Sequence, residues 1–252
     1  MSDPELTSET QPPKRRRFKC CVGKAAFALG VCLLAGTGLA LHKSRADGLM
    51  ARIHHGLVVC APGTGLSMTP NSAGLLHTAA TPAMLRLQLA TQNDGRVIVV
   101  PGSNQLSEVL ASSRRARTLL MLDLNDTDPV AVAKLIRKAR MRDRVVLVAP
   151  DHEGIEAALQ ADSAMMVAIP IRSTRDAYLA HRMAGHHPYA AYVAPNATPA
   201  LFALVHRDAE AIITENPNTP ALSTTKFLAE RPVDIVVTQQ PTQFTQTLKH
   251  DS

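Results

Sequence analysis

Histidines and acidic residues are the side chains of this sequence that could perform acid–base or metal-assisted chemistry. The 252 residues include ten histidines and four cysteines. They contain no His-Glu-x-x-His sequence and no Cys/His spacing typical of a zinc site. His152 stands out because it follows the apolar run Val145–Ala149, while Asp123 lies within another such run. A catalytic role for His152 competes with the simpler interpretation of a histidine in a surface loop.

Three other features carry chemically useful groups. The segment Gly63-Thr64-Gly65 could present backbone N–H groups to a phosphate, although an ordinary glycine-containing loop is the simpler interpretation. Arg86 could bind a phosphate oxygen if its side chain lies in a pocket, or it could form a salt bridge with Asp123. Cys60 has no base beside it in the sequence, so we expect a thiol packed within a strand.

Composition excludes several classes of protein. The sequence is 46% hydrophobic and 19% charged, which is typical of a globular chain and excludes a wholly disordered or collagen-like one. Tryptophan is absent and aromatic residues make up 3%, so the core must consist mainly of aliphatic side chains and methionine. Four cysteines are too few for a disulfide scaffold in a chain of this length.

Positive charge is concentrated at the N-terminus. The formal net charge is +6 at pH 7, and residues 1–45 hold eight Lys or Arg residues against three acidic ones. The remaining chain is therefore almost neutral. A nucleic-acid-binding domain would carry its positive charge on the folded part, so we expect no nucleic-acid partner.

The first 42 residues are predicted to attach the chain to a membrane. Residues 1–24 are polar and end in a basic cluster, which is typical of a disordered tail. Residues 25–42 are predicted to be a transmembrane helix or signal anchor, because 25–41 are uncharged and would span about 25 Å as a helix. The basic cluster in front of this segment predicts a single-pass protein with a cytoplasmic N-terminus and an extracytoplasmic body. A cleaved signal peptide, ending near Gly38-Leu39-Ala40, and a buried globular helix are the alternatives.

Residues 55–248 are predicted to form an α/β domain. Short β-branched runs alternate with amphipathic stretches, and most of the runs are continuously apolar, as expected for parallel strands covered on both faces. So many βα units predict a TIM-like (β/α)8 barrel. A doubly wound open sheet has a similar pattern, but no glycine-rich nucleotide-binding motif opens a helix. The predicted strands are Leu57–Ala61, Met84–Leu89, Val97–Val100, Leu119–Leu124, Val145–Ala149, Met165–Ile171, Tyr189–Val193, Ala211–Thr214 and Val233–Thr238.

Five helices are predicted between these strands. In the first of them, Asp128 is an expected N-cap and Pro129 the first helical residue. The spacing of its apolar residues predicts that Val130, Ala133, Ile136 and, more loosely, Leu135 face the core. The five are Val130–Arg140, Glu153–Gln160, Arg175–Met183, Pro199–Val205 and Ser223–Glu230.

From about Leu57 to Thr242 the sequence resembles the glycerophosphodiester phosphodiesterases, a family of TIM barrels related to phosphatidylinositol phospholipase C. The segment LSEVLASSRRARTLLMLDLND is similar to the family pattern "tLeEvL…lnlElK". The next βα unit is similar as well, with TDPVAVAKLIRKARMRDRVVLVAPD. Near the end, VDIVVTQQP is similar to the family's closing "vDgIiTDyP".

The resemblance implies a site in which two histidines act as acid and base and three carboxylates hold Mg²⁺ or Ca²⁺. The first histidine falls on Ala61, in the segment that matches the family's H-R-G, and the second falls on Pro101. Two of the metal carboxylates fall on Arg86 and Gln88, an alignment anchored by the segment that ends in Asp94-Gly95. The third carboxylate is retained as Asp123.

These replacements predict a pocket without the family's reaction. Alanine and proline transfer no protons, and Arg86 places a cation where the metal would bind, a repulsion of several kcal/mol at about 4 Å. The lysine of the family's "lElK" is Asn125. We therefore expect a vestigial pocket lined by Arg86, Gln88, Asp123 and Asn125, with no metal and no cofactor. The resemblance also predicts a barrel shortened in its first quarter.

These observations predict a membrane-anchored, glycerophosphodiester phosphodiesterase-like protein that is catalytically impaired. A role in binding or scaffolding remains, directed at a phospholipid headgroup or glycerol phosphate. The alternative is an active phosphoric diester hydrolase of lipid metabolism whose site is rebuilt, for instance from Asp123 and His152, with Mg²⁺ or Ca²⁺ as cofactor. A third hypothesis is an interaction protein whose barrel only presents a surface.

Overall fold

The computed structural model describes residues 48–63, 82–217 and 223–250, except the side chain of residue 250. Residues 44–252 form one compact unit. The predicted tail (1–24) and membrane segment (25–42) lie outside the described residues. In the described ranges no helix combines the length and the apolar character needed to cross a bilayer.

Eight parallel strands close into a barrel in the order β1-β2-β4-β5-β6-β7-β8-β9. Closure comes from β1, which pairs in parallel with β2 on one side and with β9 on the other. The predicted TIM-like barrel is confirmed. The strands are β1 Val58–Pro62, β2 Met84–Thr91, β3 Val97–Val100, β4 Leu119–Asp123, β5 Val145–Val148, β6 Met166–Ile171, β7 Tyr189–Val193, β8 Ala211–Glu215 and β9 Ile235–Val237.

β3 departs from the predicted parallel arrangement. It runs antiparallel to β2, with Thr91 opposite Val97. Only five residues connect the two strands, which allows a hairpin but no parallel crossover. The hairpin turn contains Gly95 at φ +79°, and the Asp94 carboxylate accepts a hydrogen bond from the Arg96 N–H.

Helices surround the barrel, and all five predicted ones are present. Three others were not predicted: α1, α2 and α8. α1 precedes the predicted domain start at residue 55. The helices are α1 Leu49–His54, α2 Leu106–Ala116, α3 Pro129–Ala139, α4 His152–Ala161, α5 Thr174–Ala184, α6 Pro199–Val205, α7 Thr224–Glu230 and α8 Pro241–His250.

The orientation predicted for Val130 is wrong. Its side chain is 54% exposed, and α3 instead buries Val132, Ala133 and Ile136. The helix begins as predicted, since the Asp128 side chain accepts hydrogen bonds from two backbone N–H groups, those of residues 130 and 131. This cap fixes the first turn of the helix and leaves Val130 on the solvent side.

Two layers of apolar side chains hold the domain together. The outer layer lies between the sheet and the helices, and its aromatic members Phe202 and Phe227 pack edge to face with ring centroids 5.9 Å apart. The inner layer fills the barrel and is rich in sulfur, with Cys60, Met84 and Met121 all fully buried. Both layers are formed within residues 44–252, so this unit has a complete core of its own.

The barrel has two distinct ends. At one end, the mouth, the parallel strands terminate at their carboxyl ends, where the active sites of such barrels lie. At the other end, the base, helices return to the starts of strands. α1 closes the base, because Leu49 packs into the inner layer and the helix contacts the short 3₁₀ turn Arg142–Arg144 that precedes β5.

Candidate functional site

An ion pair lies across the mouth between β2 and β4. The Arg86 Nε donates a hydrogen bond of 2.8 Å to the Asp123 Oδ2. The side chains are 28% and 11% exposed, respectively, so the pair is largely shielded from water. The salt bridge that the sequence offered as one of two roles for Arg86 is therefore present.

Tyr192 and Glu215 extend the ion pair into a network. The Arg86 Nη1 donates to the Tyr192 hydroxyl oxygen at 3.2 Å, and that hydroxyl donates to the Glu215 Oε1 at 3.2 Å. The guanidinium also lies 5.9 Å from the centre of the Tyr192 ring. Glu215 is the exposed end of the network, with a side chain 58% accessible to solvent and its Oε1 3.9 Å from the Arg86 Nη1.

The network favours the charged form of Arg86 and has a formal charge of −1. Burial alone would lower the pKa of Arg86, but the hydrogen bond to Asp123 and the nearby charges outweigh it and raise that pKa. Two carboxylates, those of Asp123 and Glu215, share this single cation. The other oxygen of Asp123, Oδ1, is buried and makes no hydrogen bond within the described residues.

Two neutral groups lie next to the ion pair. Burial raises the pKa of the Tyr192 hydroxyl to about 12, with Arg86 lowering it and Glu215 raising it. Burial likewise raises the pKa of the Cys60 thiol to about 12, against a smaller opposing effect of Arg86. Cys60 is the packed strand thiol expected from the sequence. Neither group is a base at neutral pH.

The four predicted pocket residues are neighbours along β2 and β4. Gln88 is directly opposite Asp123 in the strand register and is exposed. Asn125 follows β4 with φ +45°, and its Nδ2 donates to the Leu89 carbonyl at 3.1 Å. Arg86 and Asp123 are in direct contact, whereas Gln88 and Asn125 flank them.

The positions aligned with the family histidines lie on either side of β2. Ala61 is opposite Leu85 in the register and is buried. It alternates with Cys60 of the inner layer, so its side chain faces the surrounding helices rather than the mouth. Pro101 is exposed and directly follows β3, whose last residue lies opposite Gln88. Neither position offers a proton-transfer group.

The structure does not assemble the alternative site from Asp123 and His152. His152 begins α4 with its side chain 74% exposed, and its Nε2 lies 3.3 Å from the Glu156 carboxylate one turn further along. Asp123 is bound to Arg86 instead. Of the glycine segment, Gly63 donates its N–H to the Arg86 carbonyl at 2.8 Å, and residues 64 and 65 lie outside the described part.

The residues at the mouth do not fit a divalent cation. Among the described residues, no three His, Cys, Asp or Glu side chains are grouped as a metal site would require. The guanidinium of Arg86 binds the Asp123 Oδ2 and places a positive charge beside that carboxylate.

Tyr192 and Glu215 were missed by the sequence reasoning. Tyr192 lies within the predicted strand Tyr189–Val193, whereas Glu215 lies one residue beyond the predicted strand Ala211–Thr214. Their position near the carboxyl ends of these strands, where barrel sites form, is the sequence signal that points to them.

Structures solved for glycerophosphodiester phosphodiesterases share this barrel. The putative enzyme from Silicibacter pomeroyi has a TM-score of 0.62 at 16% identity, covering 82% of this chain and 98% of its own. The enzyme from Agrobacterium tumefaciens has a TM-score of 0.60 at 14% identity, covering 75% and 99%. A phosphodiesterase from Oleispira antarctica, in complex with the product sn-glycerol-3-phosphate, has a TM-score of 0.60 at 9% identity, covering 76% and 96%.

These likenesses establish the fold. No protein-family model and no curated protein sequence matches the chain. The phosphoribosylanthranilate isomerase of Thermotoga maritima, which performs other chemistry, also matches, with a TM-score of 0.50 at 10% identity. The predicted resemblance to glycerophosphodiester phosphodiesterases is confirmed for the barrel, and function has to be argued from the site.

Proposed function

We propose that this protein is a membrane-anchored barrel of the glycerophosphodiester phosphodiesterase type that has lost metal-dependent hydrolysis. The Arg86–Asp123 ion pair is the observation that carries the proposal. It engages the one carboxylate retained from the family's metal set and places a fixed positive charge beside it. A divalent cation would have to displace that charge or bind within a few ångströms of it.

The retained role is the binding of a phospholipid headgroup. With one cation and two carboxylates, the mouth network disfavours a bare phosphate but suits a zwitterion. A headgroup bearing an amine, such as glycerophosphocholine or glycerophosphoethanolamine, would place its ammonium at the exposed carboxylate of Glu215 and its phosphate towards Arg86. Of the two ligands considered from the sequence, this favours the headgroup over glycerol phosphate.

A ligand-dependent shift in thermal unfolding tests this binding. The full chain in detergent is expected to gain stability with glycerophosphocholine and to gain less with glycerol phosphate. Glu215→Gln should weaken the response to glycerophosphocholine, whereas Glu156→Gln, which changes an exposed carboxylate on α4, should leave it intact. An equal response to both ligands, or none, would contradict the headgroup proposal.

Loss of hydrolysis is tested with the same preparation. Glycerophosphocholine incubated with the chain and either Mg²⁺ or Ca²⁺ is expected to remain intact. Metal-dependent turnover that disappears in Asp123→Ala would refute the proposed loss and favour the rebuilt site. Membrane anchoring is tested separately, because a single-pass protein resists alkaline carbonate extraction and a version starting at residue 46 should not.

A further inference from the structure

The base of the barrel carries a concentration of positive charge. The ends of α2 and α3 and the turns after them, residues 114–118 and 137–144, contain eight Lys or Arg residues and one acidic residue. Asp162, from the next turn at the base, is buried and pairs with Arg137 and Arg142. Arg144 is buried, whereas Arg114, Arg115 and Lys138 are exposed at this end of the two helices. The eight cations are Arg114, Arg115, Arg117, Arg137, Lys138, Arg140, Arg142 and Arg144.

The N-terminal ends of α2, α3 and α4 are acidic. Residues 104–108, 125–129 and 149–153 contain five acidic residues and no Lys or Arg. The helix dipole accounts for the sign of this difference, since acids are favoured at helix N-termini and bases at C-termini. That effect fades within one turn and does not account for cations beyond the helices.

Arginine also occupies backbone positions that glycine would fill at lower cost. Arg117 and Arg140 cap α2 and α3 in the left-handed conformation, with φ of 58° and 57°. Glycine is the usual residue at this position because a Cβ is strained there. The two neighbouring helices therefore end in the same way, each with an arginine in a conformation that glycine adopts at lower cost.

A groove between α2 and α3 combines this charge with an apolar floor. Its volume is about 600 Å³. Ala111, Leu135 and Ala139 are its apolar residues, and Arg114, Arg115 and Lys138 are its cations. Apolar surface bordered by basic side chains is the chemistry that meets the boundary between lipid headgroups and acyl chains.

Few residues separate the proposed membrane segment from the base of the barrel. The apolar segment proposed to span the membrane ends at Leu41, and α1, which closes the base, begins at Leu49. Eight residues reach at most about 28 Å when fully extended. The connection between the proposed membrane segment and the helix that closes the base is therefore short.

We propose that the base of the barrel docks on a bilayer surface that contains anionic lipid, through Arg114, Arg115 and Lys138. The direction of docking rests on the proposed membrane anchor, whereas affinity for anionic lipid rests on the charge and the groove alone. Docking in this way turns the mouth away from the bilayer. The headgroup proposed for the mouth would then arrive from solution as a deacylated, water-soluble molecule.

Vesicle sedimentation tests the docking. Residues 46–252 contain both core layers and the complete barrel, so this part of the chain is suited to a soluble assay. It is expected to sediment with vesicles of phosphatidylcholine and phosphatidylglycerol, to stay in solution with phosphatidylcholine alone, and to dissociate at high salt. The double variant Arg114→Glu/Arg115→Glu should bind at least about tenfold less, because each cation near an anionic surface contributes a factor of about five.

Matched variants separate docking from general charge and from folding. Arg172→Glu/Arg175→Glu changes two exposed arginines at the mouth end and should bind as the wild type does. Arg114→Lys/Arg115→Lys keeps the charge and should also bind, even if the glutamate variant proves less stable. Equal sedimentation with both vesicle types, or equal losses in both glutamate variants, would overturn the proposal. If carbonate extracts the full chain, the proposed membrane anchor is refuted, whereas the proposed affinity of the base for anionic lipid is not.

Discussion

Arg86 reaches past its own neighbour on β4 to contact Asp123. In the strand register Arg86 lies opposite Met121, while Asp123 lies opposite Gln88. The arginine side chain therefore extends one pleat towards the mouth and bonds the carboxylate at 2.8 Å. The ion pair therefore joins residues that are not opposite each other in the register, which requires a side chain as long as that of arginine.

Removing the arginine should destabilise the barrel. Arg86→Met leaves the mostly buried carboxylate of Asp123 without its charge partner, and we expect a loss of about 1–3 kcal/mol in the free energy of unfolding. Urea denaturation measures the loss. The control is Arg96→Met, which breaks the exposed pair with Asp94 and should cost much less, because solvent screens exposed ion pairs. Similar losses in the two variants would mean that the mouth pair is as weak as a surface pair.

Restoring carboxylates at the mouth should create a metal site. The double variant Arg86→Glu/Gln88→Asp adds two acids next to Asp123 and removes the internal cation. Without metal it should be less stable than the wild type, because three acids then lie close together. Saturating Mg²⁺ or Ca²⁺ should raise its melting temperature by roughly 5–10 °C, while the wild type should not respond.

The retained carboxylate provides the control for this engineered site. Adding Asp123→Ala to the double variant should abolish the response to metal. If the wild-type chain gains stability with the same ions, the proposal that Arg86 takes the place of a metal ion is wrong.

The thiol of Cys60 should be inert in the folded protein. Its side chain is fully buried and its pKa is raised from 9.0 to about 12. At pH 8 the thiolate fraction is about a thousandfold smaller than for an ordinary cysteine, and reagents have no access. Iodoacetamide labelling followed by peptide mass spectrometry should leave Cys60 unmodified until urea unfolds the barrel. Labelling in buffer at a rate that matches a free thiol would show that the mouth opens.

Alkaline pH should weaken the fold in a defined range. The folded-state pKa values of Cys60 and Tyr192 are about 12, above their ordinary values of 9.0 and 10.0. The unfolded chain therefore releases these protons first, and their contribution to stability is complete below pH 9 and is lost as the pH rises towards 12. Urea unfolding at a series of pH values measures the decline. Tyr192→Phe should show a shallower decline than the wild type, and an unchanged slope would contradict the role of Tyr192.

The N-cap of α3 should contribute measurable stability. Asp128→Ala removes two hydrogen bonds to the first turn, and we expect a loss of about 1 kcal/mol. Thermal or urea unfolding measures it. Asp126→Ala removes an equal charge from the same loop, so a comparable loss there would assign the effect to charge rather than to capping.

Much of the fold could be predicted because the strands are continuously apolar. Runs such as Val145–Val148 are covered on both faces, and their repetition with helices leaves few architectures besides a parallel barrel. α1 was not predicted because it has only six residues, and α8 because its sequence, PTQFTQTLKH, is largely polar. The direction of β3 is set by the short connection to β2, which the apolar pattern of the strand does not reveal.

Only part of the candidate site could be predicted from the sequence. Arg86, Gln88 and Asp123 lie on β2 and β4, and the resemblance pointed to them directly. Tyr192 is 106 residues from Arg86, and neither it nor Glu215 matches a motif. Only closure of the barrel brings β7 and β8 across the mouth from β2, so a local pattern carries no sign of this contact.

The sulfur-rich interior of the barrel has a consequence for oxidative damage. Met84 and Met121 are sealed inside with no exposed surface, and a methionine sulfoxide is polar and larger. The side chains that pack around them in the inner layer are apolar apart from the Cys60 thiol. If these methionines are oxidised before the chain folds, the strands would fail to close into the barrel. In the folded barrel, the same sulfur atoms are protected from peroxide.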